Sequence, residues 1–246
     1  MSIIQYLESR NSSQLFSIAL VVATVVTTST YGIGHAWGWT DLRNPNWYEI
    51  LAIWTSYASV FLCNFQSRWN YPIGIAGVGF YSLFYWTAVN PVTGQPEPAS
   101  ALAVFNLYLV GSLLFGYFRW GPDGNSRPVT YVEGRWLHAE LPYLAATAVV
   151  LGALYVAVQY GAMISNIEIT LVAGSALAQF LMDNKKIQSW IVWILVDIVS
   201  IYFYYTMGWY LVAFQYVFFL ANAFWGLHVW YQAYKSNTTA TQQVAI

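Results

Sequence analysis

Asp197 is the side chain of this sequence that points most directly to chemistry, because it lies within an apolar stretch at residues 190–206. If this stretch is a membrane-spanning helix, the carboxylate lies roughly 10 Å from its nearer end. A carboxylate at this depth costs about 2.5–3.5 kcal/mol, so it is expected to face a cavity or a partner. Trp190 and Trp193 share its helix face at i, i+3, i+7 spacing. We predict that these three side chains face a substrate path; an aspartate that only braces a neighbouring helix is the alternative.

Polar groups in other apolar stretches predict the rest of such a path. They include asparagine and glutamine amides, each of which could instead form a hydrogen bond between helices. Asn70 could also cap a helix. Asn70 begins a stripe with Gly74, Gly77 and Tyr81, in which the glycines also allow close approach of another helix. The predicted substrate-binding set adds the following residues: Asn106, Gln179, Gln215, Asn222 and Tyr202.

Three further residues are candidates for gates at the mouths of the path. Glu49 and Glu168 each lie near the start of an apolar stretch, where a carboxylate also stabilises the helix dipole. That structural role is the first interpretation for both, and a gate is the second. Trp69 opens another stretch and is the third gate candidate.

Eight apolar stretches are available to position these side chains. The chain is 58% hydrophobic and 8% charged, with 13 Trp and 20 Tyr, which is too apolar for a soluble domain. We predict one all-α integral membrane domain over residues 1–246, since a span needs roughly 20 apolar residues. The predicted spans are 14–37, 47–65, 71–90, 99–118, 141–163, 168–182, 190–206 and 208–231.

The basic residues predict the orientation of these spans. Eight of the nine Lys and Arg residues fall in connections that lie on one side of the membrane if all eight stretches cross it, and Arg43 alone lies on the other side. Because cytoplasmic loops are enriched in Lys and Arg, both termini are expected in the cytoplasm.

Two parts of the chain resemble copies of one three-helix unit, at residues 47–118 and 168–231. Glu49 matches Glu168, Trp69 matches Trp190, and Tyr81 matches Tyr202. In the last helix of each unit Ala103, Gly116 and Trp120 match Ala213, Gly226 and Trp230 at an offset of 110. An added N-terminal helix (14–37) and a linking helix (141–163) complete a predicted 3+1+3 order with parallel repeats, an arrangement that suits a transporter.

The sequence lacks the residues that several functions require. No Lys or Arg lies deep in a predicted span, so a phosphate dianion would have no counter-charge, and the substrate should be neutral or cationic. The three histidines lack metal-ligand spacing, and no phosphate-binding loop or catalytic constellation is visible. We therefore expect no metal, no cofactor, no enzymatic activity and, at a net charge of −1, no nucleic-acid partner.

The second repeat resembles a known family. The run FLMDNKKIQSWIVWILVDIVSIYFYYTMGWYLVAFQYVFFLANAFWGLHVW contains a basic pair, a W-x-x-W helix start, a polar residue in mid-helix and a closing G-x-x-x-W. These features are similar to the C-terminal signature of the PnuC family of vitamin-precursor transporters, and NWYE and RWNYPIG resemble its weaker first-repeat motifs. At several polar positions the chain departs from the family, with Asp197 where an amide can stand and Gln215 where a carboxylate can.

The resemblance implies two parallel three-helix bundles around a linking helix, related to the SWEET sugar transporters. It also implies a homotrimer in the bacterial inner membrane and facilitated diffusion of nicotinamide riboside, which cytoplasmic phosphorylation then traps. Thiamine or riboflavin transport is the alternative within the family. A membrane receptor without flux is the alternative from another class.

Overall fold

Seven helices form the described part of the chain in this computed structural model. The structure describes residues 11–39, 47–89, 95–96, 100–122, 124, 127–133, 148, 152 and 166–244. The helices are α1 (Ser12–Trp37), α2 (Trp47–Asn64), α3 (Asn70–Trp86), α4 (Ser100–Trp120), α5 (Asn166–Asp183), α6 (Gln188–Thr206) and α7 (Tyr210–Val244). They occupy seven of the eight predicted spans. The predicted linking helix at 141–163 falls outside the described residues, apart from two isolated positions, so the 3+1+3 order stays a prediction.

Local sequence explains several helix ends. Asn11 caps α1 by accepting a hydrogen bond from the backbone N–H of Gln14, and the Gln14 side-chain oxygen accepts one from the backbone N–H of Asn11. The helix stops at Gly38, whose φ of 68° a residue without a β-carbon adopts readily. α7 continues to Val244, past the predicted end at residue 231. No Gly or Pro interrupts residues 232–244, so nothing breaks the helix.

Among the residues that the structure describes, four helical segments are long and apolar enough to cross a bilayer. They are Ser13–Trp37, Leu102–Trp120, Gln188–Thr206 and Tyr210–Thr238. The other three helices are 17 or 18 residues long. Many large apolar side chains of the spanning segments point outward, including Val21, Leu107 and Leu195. In a chain this apolar, such surfaces are suited to contact with lipid.

The helices form two similar groups. α3 packs against α2 and α4, and α6 packs against α5 and α7. Between the groups, α4 contacts α5 and α7 contacts α2, so the last helix of each group meets the first helix of the other. α1 lies outside both groups, against α2 and α7. This reciprocal contact pattern is that of a local twofold arrangement.

Three pairs of residues separated by 119 positions meet across this arrangement. The hydroxyls of Tyr85 and Tyr204 are 2.7 Å apart, and the sulfur atoms of Cys63 and Met182 are 3.3 Å apart. The third pair is Gln66 and Lys185, joined by a 2.7 Å hydrogen bond. A residue meets its own counterpart only at a twofold axis, so the axis passes through all three pairs and runs along the helices.

The observed offset corrects part of the predicted repeat. An offset of 119 holds for Glu49 and Glu168, as predicted, but it pairs Tyr71, not Trp69, with Trp190. The predicted match of Tyr81 with Tyr202 is wrong for the same reason. Both mismatched pairs used an offset of 121, two residues too many, because tryptophans and tyrosines recur closely in this chain and several registers look alike.

In the last helix of each group the predicted offset of 110 agrees with the contacts. The indole nitrogens of Trp120 and Trp230 donate to the carbonyl oxygens of Met182 and Cys63, at 3.3 and 3.2 Å. Both tryptophans are fully buried. These paired bonds fasten the end of each last helix to the first helix of the other group.

One short loop connects the first and second helices of each group, and the loop of the second group, residues 184–187, is buried. Gln66 and Lys185 hold equivalent positions in the two loops, with φ values of 55° and 52°. The Lys185 ammonium also donates to the carbonyl oxygen of Gly124 and lies 4.8 Å from the Trp120 ring. Burial disfavours the charged form and lowers the pKa of Lys185 to about 8.

Candidate substrate-binding cavity

A cavity of about 200 Å³ lies between the two helix groups, along the twofold axis. Tyr85 and Tyr204 line one end, and Cys63 and Met182 line the other. Most of the wall is apolar, with side chains such as Leu109 and Phe219. A concave apolar space with a few polar groups is the usual form of a small-molecule site.

Asp197 is the one charged residue among those that line the cavity. It is only 2% exposed, and within the described part of the chain its carboxylate has no hydrogen-bond partner. The neighbouring turns of α6 contribute Trp190 and Trp193 to the same wall. The predicted face of α6 therefore does border a cavity, and no described side chain is braced by Asp197.

The two tryptophans of that face differ in their surroundings. Trp190 is 3% exposed and packs perpendicular to Trp230, with ring centroids 5.5 Å apart. A β-carbon at Gly226 would come within 2.6 Å of the Trp190 ring, so glycine is needed there. Trp193 is only partly buried. Trp190 is thus held rigidly by packing, and Trp193 is the freer aromatic surface.

Four of the five predicted amides line the cavity. Their hydrogen bonds within the protein determine whether the nitrogen or the oxygen of each amide is left to bind a ligand. The nitrogens of Asn70 and Asn106 donate to the backbone oxygens of Ser67 and Leu102, at 2.7 and 2.8 Å. The Gln179 nitrogen donates to the Asp183 carboxylate at 2.7 Å. Because these partners only accept, the amides must turn their nitrogens toward them and keep their oxygens free.

Asn222, the fourth lining amide, is already paired. Its oxygen accepts from the Asn64 nitrogen at 2.8 Å, and its own nitrogen reaches the Asn64 oxygen at 3.3 Å. This pair links α7 to α2. The amides that line the cavity therefore present hydrogen-bond acceptors, from Asn70, Asn106 and Gln179, beside the carboxylate of Asp197.

An aromatic cluster at the Tyr85 end was largely missed from the sequence. Tyr81 stacks on Tyr85 with centroids 5.7 Å apart, and Tyr204 stacks on both Trp209 and Tyr216. All four tyrosines line the cavity, although only Tyr81 was predicted. The offset of 119 would have identified Tyr85 and Tyr204 as counterparts.

Asp183, like Tyr85, Tyr204 and Tyr216, was not predicted from the sequence. It is fully buried and accepts hydrogen bonds from the Tyr71 hydroxyl at 3.1 Å, the Ser112 hydroxyl at 2.8 Å and the Gln179 amide. A β-carbon on Gly116 would lie 2.3 Å from its carboxylate. Gly116, one of the residues matched between the repeats, is therefore the residue that makes room for this carboxylate.

The remaining predicted residues lie away from the cavity wall. Gln215 is fully buried behind it and accepts a hydrogen bond from the Tyr81 hydroxyl. Tyr202 is 63% exposed on the outside of α6, so its assignment to the binding set is not supported by its position. Trp69 is 49% exposed and packs against Phe16. Glu49 is buried and Glu168 half-buried, and neither lines the cavity.

The cavity has no basic residue and no metal-binding group in the part of the chain that the structure describes. Its lining residues include no Lys, Arg or His. No cluster of three His, Cys, Asp or Glu side chains occurs among the described residues. A cation or a hydrogen-bond donor suits such a wall, and an anion does not.

Comparisons with known proteins agree with this description. No curated protein matches the sequence. A solved structure, "Crystal structure of the Vitamin B3 transporter PnuC", is similar in fold with a TM-score of 0.61 at 20% identity, over 87% of this chain and 92% of that one. The profile of a family described as "Nicotinamide mononucleotide transporter" matches residues 46–232. The chain therefore belongs to the nicotinamide mononucleotide transporter (PnuC) family, whose members are membrane transporters of vitamin precursors and not enzymes.

Proposed function

We propose that this protein takes up nicotinamide riboside by facilitated diffusion, and that cytoplasmic phosphorylation of the riboside prevents its return. The observation that carries this proposal is the buried Asp197 carboxylate, which borders the cavity without a partner among the described residues. An isolated buried charge is costly, and a cationic ligand supplies the missing counter-charge.

Nicotinamide riboside matches the other groups of the wall. Its pyridinium ring is a flat cation that suits the faces of Trp193 and the tyrosines. Its carboxamide and its ribose hydroxyls are hydrogen-bond donors. The available amide oxygens of Asn70, Asn106 and Gln179 are acceptors, so ligand and wall are complementary.

The phosphorylated form of this ligand fits the same wall poorly. A mononucleotide carries a phosphate dianion, and the described wall offers one carboxylate and no basic residue. Like charges brought together at a buried site cost several kcal/mol. The family's description names the mononucleotide, but the chemistry of this cavity favours the riboside.

We further propose the organisation of the protein in the membrane. Eight spans in a 3+1+3 order, with both termini in the cytoplasm of a bacterial inner membrane, account for the distribution of Lys and Arg. The reciprocal contacts of α4 with α5 and of α2 with α7 support the repeat. A homotrimer is proposed from the family resemblance alone.

Two other functions remain to be distinguished from this one. Thiamine is also an aromatic cation, so the Asp197 wall admits it, whereas riboflavin is uncharged and would leave the carboxylate without a counter-charge. A receptor without flux would bind the same ligand but would not move it across a membrane.

A competition experiment on the purified protein separates the candidate ligands. Labelled nicotinamide riboside is bound to the protein in detergent, and unlabelled riboside, its mononucleotide, thiamine and riboflavin are each titrated in. We expect the riboside to compete best and the mononucleotide to need a concentration roughly 100-fold higher, because of the like-charge cost. Stronger competition by thiamine would transfer the proposal to that vitamin. Equal competition by riboside and mononucleotide would refute the proposed exclusion of phosphate.

A further inference from the structure

Gln179 is a side chain that can present either of two opposite groups to a ligand. Its amide has a donor end and an acceptor end of nearly the same shape. Which end faces the cavity decides whether the site accepts from a ligand or donates to it. In the structure the nitrogen is taken by Asp183, and within the described residues the oxygen accepts no hydrogen bond.

Asp183 is itself constrained to act as an acceptor. Its two oxygens receive hydrogen bonds from Tyr71 and Ser112 as well as from Gln179, and Asp183 does not itself line the cavity. These three donors come from α3, α4 and α5. In its ionised form this carboxylate only accepts, and Gln179 then turns its nitrogen, and not its oxygen, toward Asp183.

We propose that Asp183 is a positioning residue that holds the Gln179 carbonyl toward the substrate, and that it thereby selects a carboxamide over groups that cannot donate a hydrogen bond. A hydroxyl both donates and accepts, so it would bind either orientation of Gln179. The groups that this arrangement disfavours are therefore carbonyl groups that carry no N–H. This inference rests on the proposed function, because it assumes a ligand with a carboxamide in this cavity.

The equivalent position in the other helix group shows that an amide can occupy this place. Asn64 is related to Asp183 by the offset of 119, and it is buried and bonded to Asn222, the counterpart of Ser112 at the offset of 110. Asp183→Asn therefore introduces a side chain that the molecule already accommodates at the matching site. An asparagine can donate as well as accept, so it no longer dictates the orientation of Gln179.

The test compares two ligands that differ in one group. Nicotinamide riboside is measured beside its analogue with an acetyl group in place of the carboxamide, which has the same ring charge but a methyl group instead of the NH₂. The quantity of interest is the ratio of the two dissociation constants. In the wild-type protein we expect the carboxamide to bind roughly 10-fold more tightly, because the acetyl analogue leaves the Gln179 oxygen unpaired.

Four variants locate the source of this ratio. In Asp183→Asn the ratio should fall to about 3 or less, since Gln179 can turn and donate to the acetyl oxygen. In Gln179→Leu it should fall to about 1. Adding Asp183→Asn to Gln179→Leu should change the ratio no further. Ser112→Ala removes another hydrogen bond of Asp183 without altering Gln179, so it should keep the wild-type ratio and serves as the matched control.

The outcomes separate this inference from the proposed function. If neither ligand binds the folded wild-type protein, the proposed function fails. If both bind but the ratio is the same in wild type and Gln179→Leu, Gln179 does not read this group, and the inference alone is overturned even if Asp183→Asn does not fold. A fall in Gln179→Leu that is absent from a stably folded Asp183→Asn would also overturn the role of Asp183.

Discussion

The Asp197→Asn variant is expected to bind nicotinamide riboside at least roughly 30-fold more weakly than the wild type, while remaining folded. Removing one partner from a buried charge pair typically costs about 2–5 kcal/mol. The asparagine keeps the shape of the side chain, so loss of packing contributes little. Isothermal titration of the purified proteins gives both dissociation constants directly.

A matched control is available on the neighbouring helix. Glu168 is a half-buried carboxylate in the first turn of α5 and does not line the cavity. Glu168→Gln should therefore leave the affinity unchanged within about twofold. If Asp197→Asn binds the riboside as tightly as the wild type, Asp197 does not meet the ligand, and the cationic preference of the site has no basis.

Truncation of Trp193 should produce the second large effect. Trp193→Ala removes the freer aromatic surface of the α6 face, and a cation over an indole contributes about 0.5–2 kcal/mol in addition to packing. We expect a dissociation constant roughly 10-fold higher for nicotinamide riboside, measured by the same titration. The thermal midpoint should fall only slightly, since the side chain is partly exposed to the cavity.

Trp86→Ala distinguishes this effect from the general loss of a tryptophan. Trp86 is 62% exposed at the end of α3 and does not line the cavity. Its removal should leave riboside binding as it is in the wild type. Equal weakening in both variants would mean that tryptophan loss disturbs the fold, and that Trp193 has no special role in the site.

The face of α6 could be predicted because helix geometry alone determines it. Trp190, Trp193 and Asp197 fall on one side at i, i+3, i+7 spacing whatever the neighbouring helices do. The depth of the carboxylate then made exposure to lipid costly. Both arguments use only residues within one helix, and the structure places all three side chains at the cavity.

The positions of Tyr202 and Trp69 were predicted less well, since they depended on the repeat register. A shift of two residues moves a side chain by about 200° around a helix, and therefore to nearly the opposite face. Tyr202 thus points outward, whereas Tyr204 lines the cavity. In a chain this apolar, two alignments of the repeats that differ by two residues look equally good in sequence. Only the contacts between the helix groups show which alignment is correct.

The role of Asp183 was not visible in the sequence for a related reason. It lies at the end of α5, beside the basic pair Lys185 and Lys186, and in sequence it resembles a polar loop residue. Its partners Tyr71 and Ser112 are 112 and 71 positions away in the chain. Only the folded chain brings these groups together, so no local pattern indicates a buried carboxylate there.

We propose above all that this chain moves nicotinamide riboside across a membrane down its own gradient. The most direct test is the entry of labelled riboside into liposomes containing the purified protein, with no ATP and no ion gradient. We predict that the internal concentration rises to the external one and no further, and that Asp197→Asn slows this equilibration. Entry that occurs only with ATP or an imposed proton or sodium gradient, or binding of the riboside without any entry, would contradict the account.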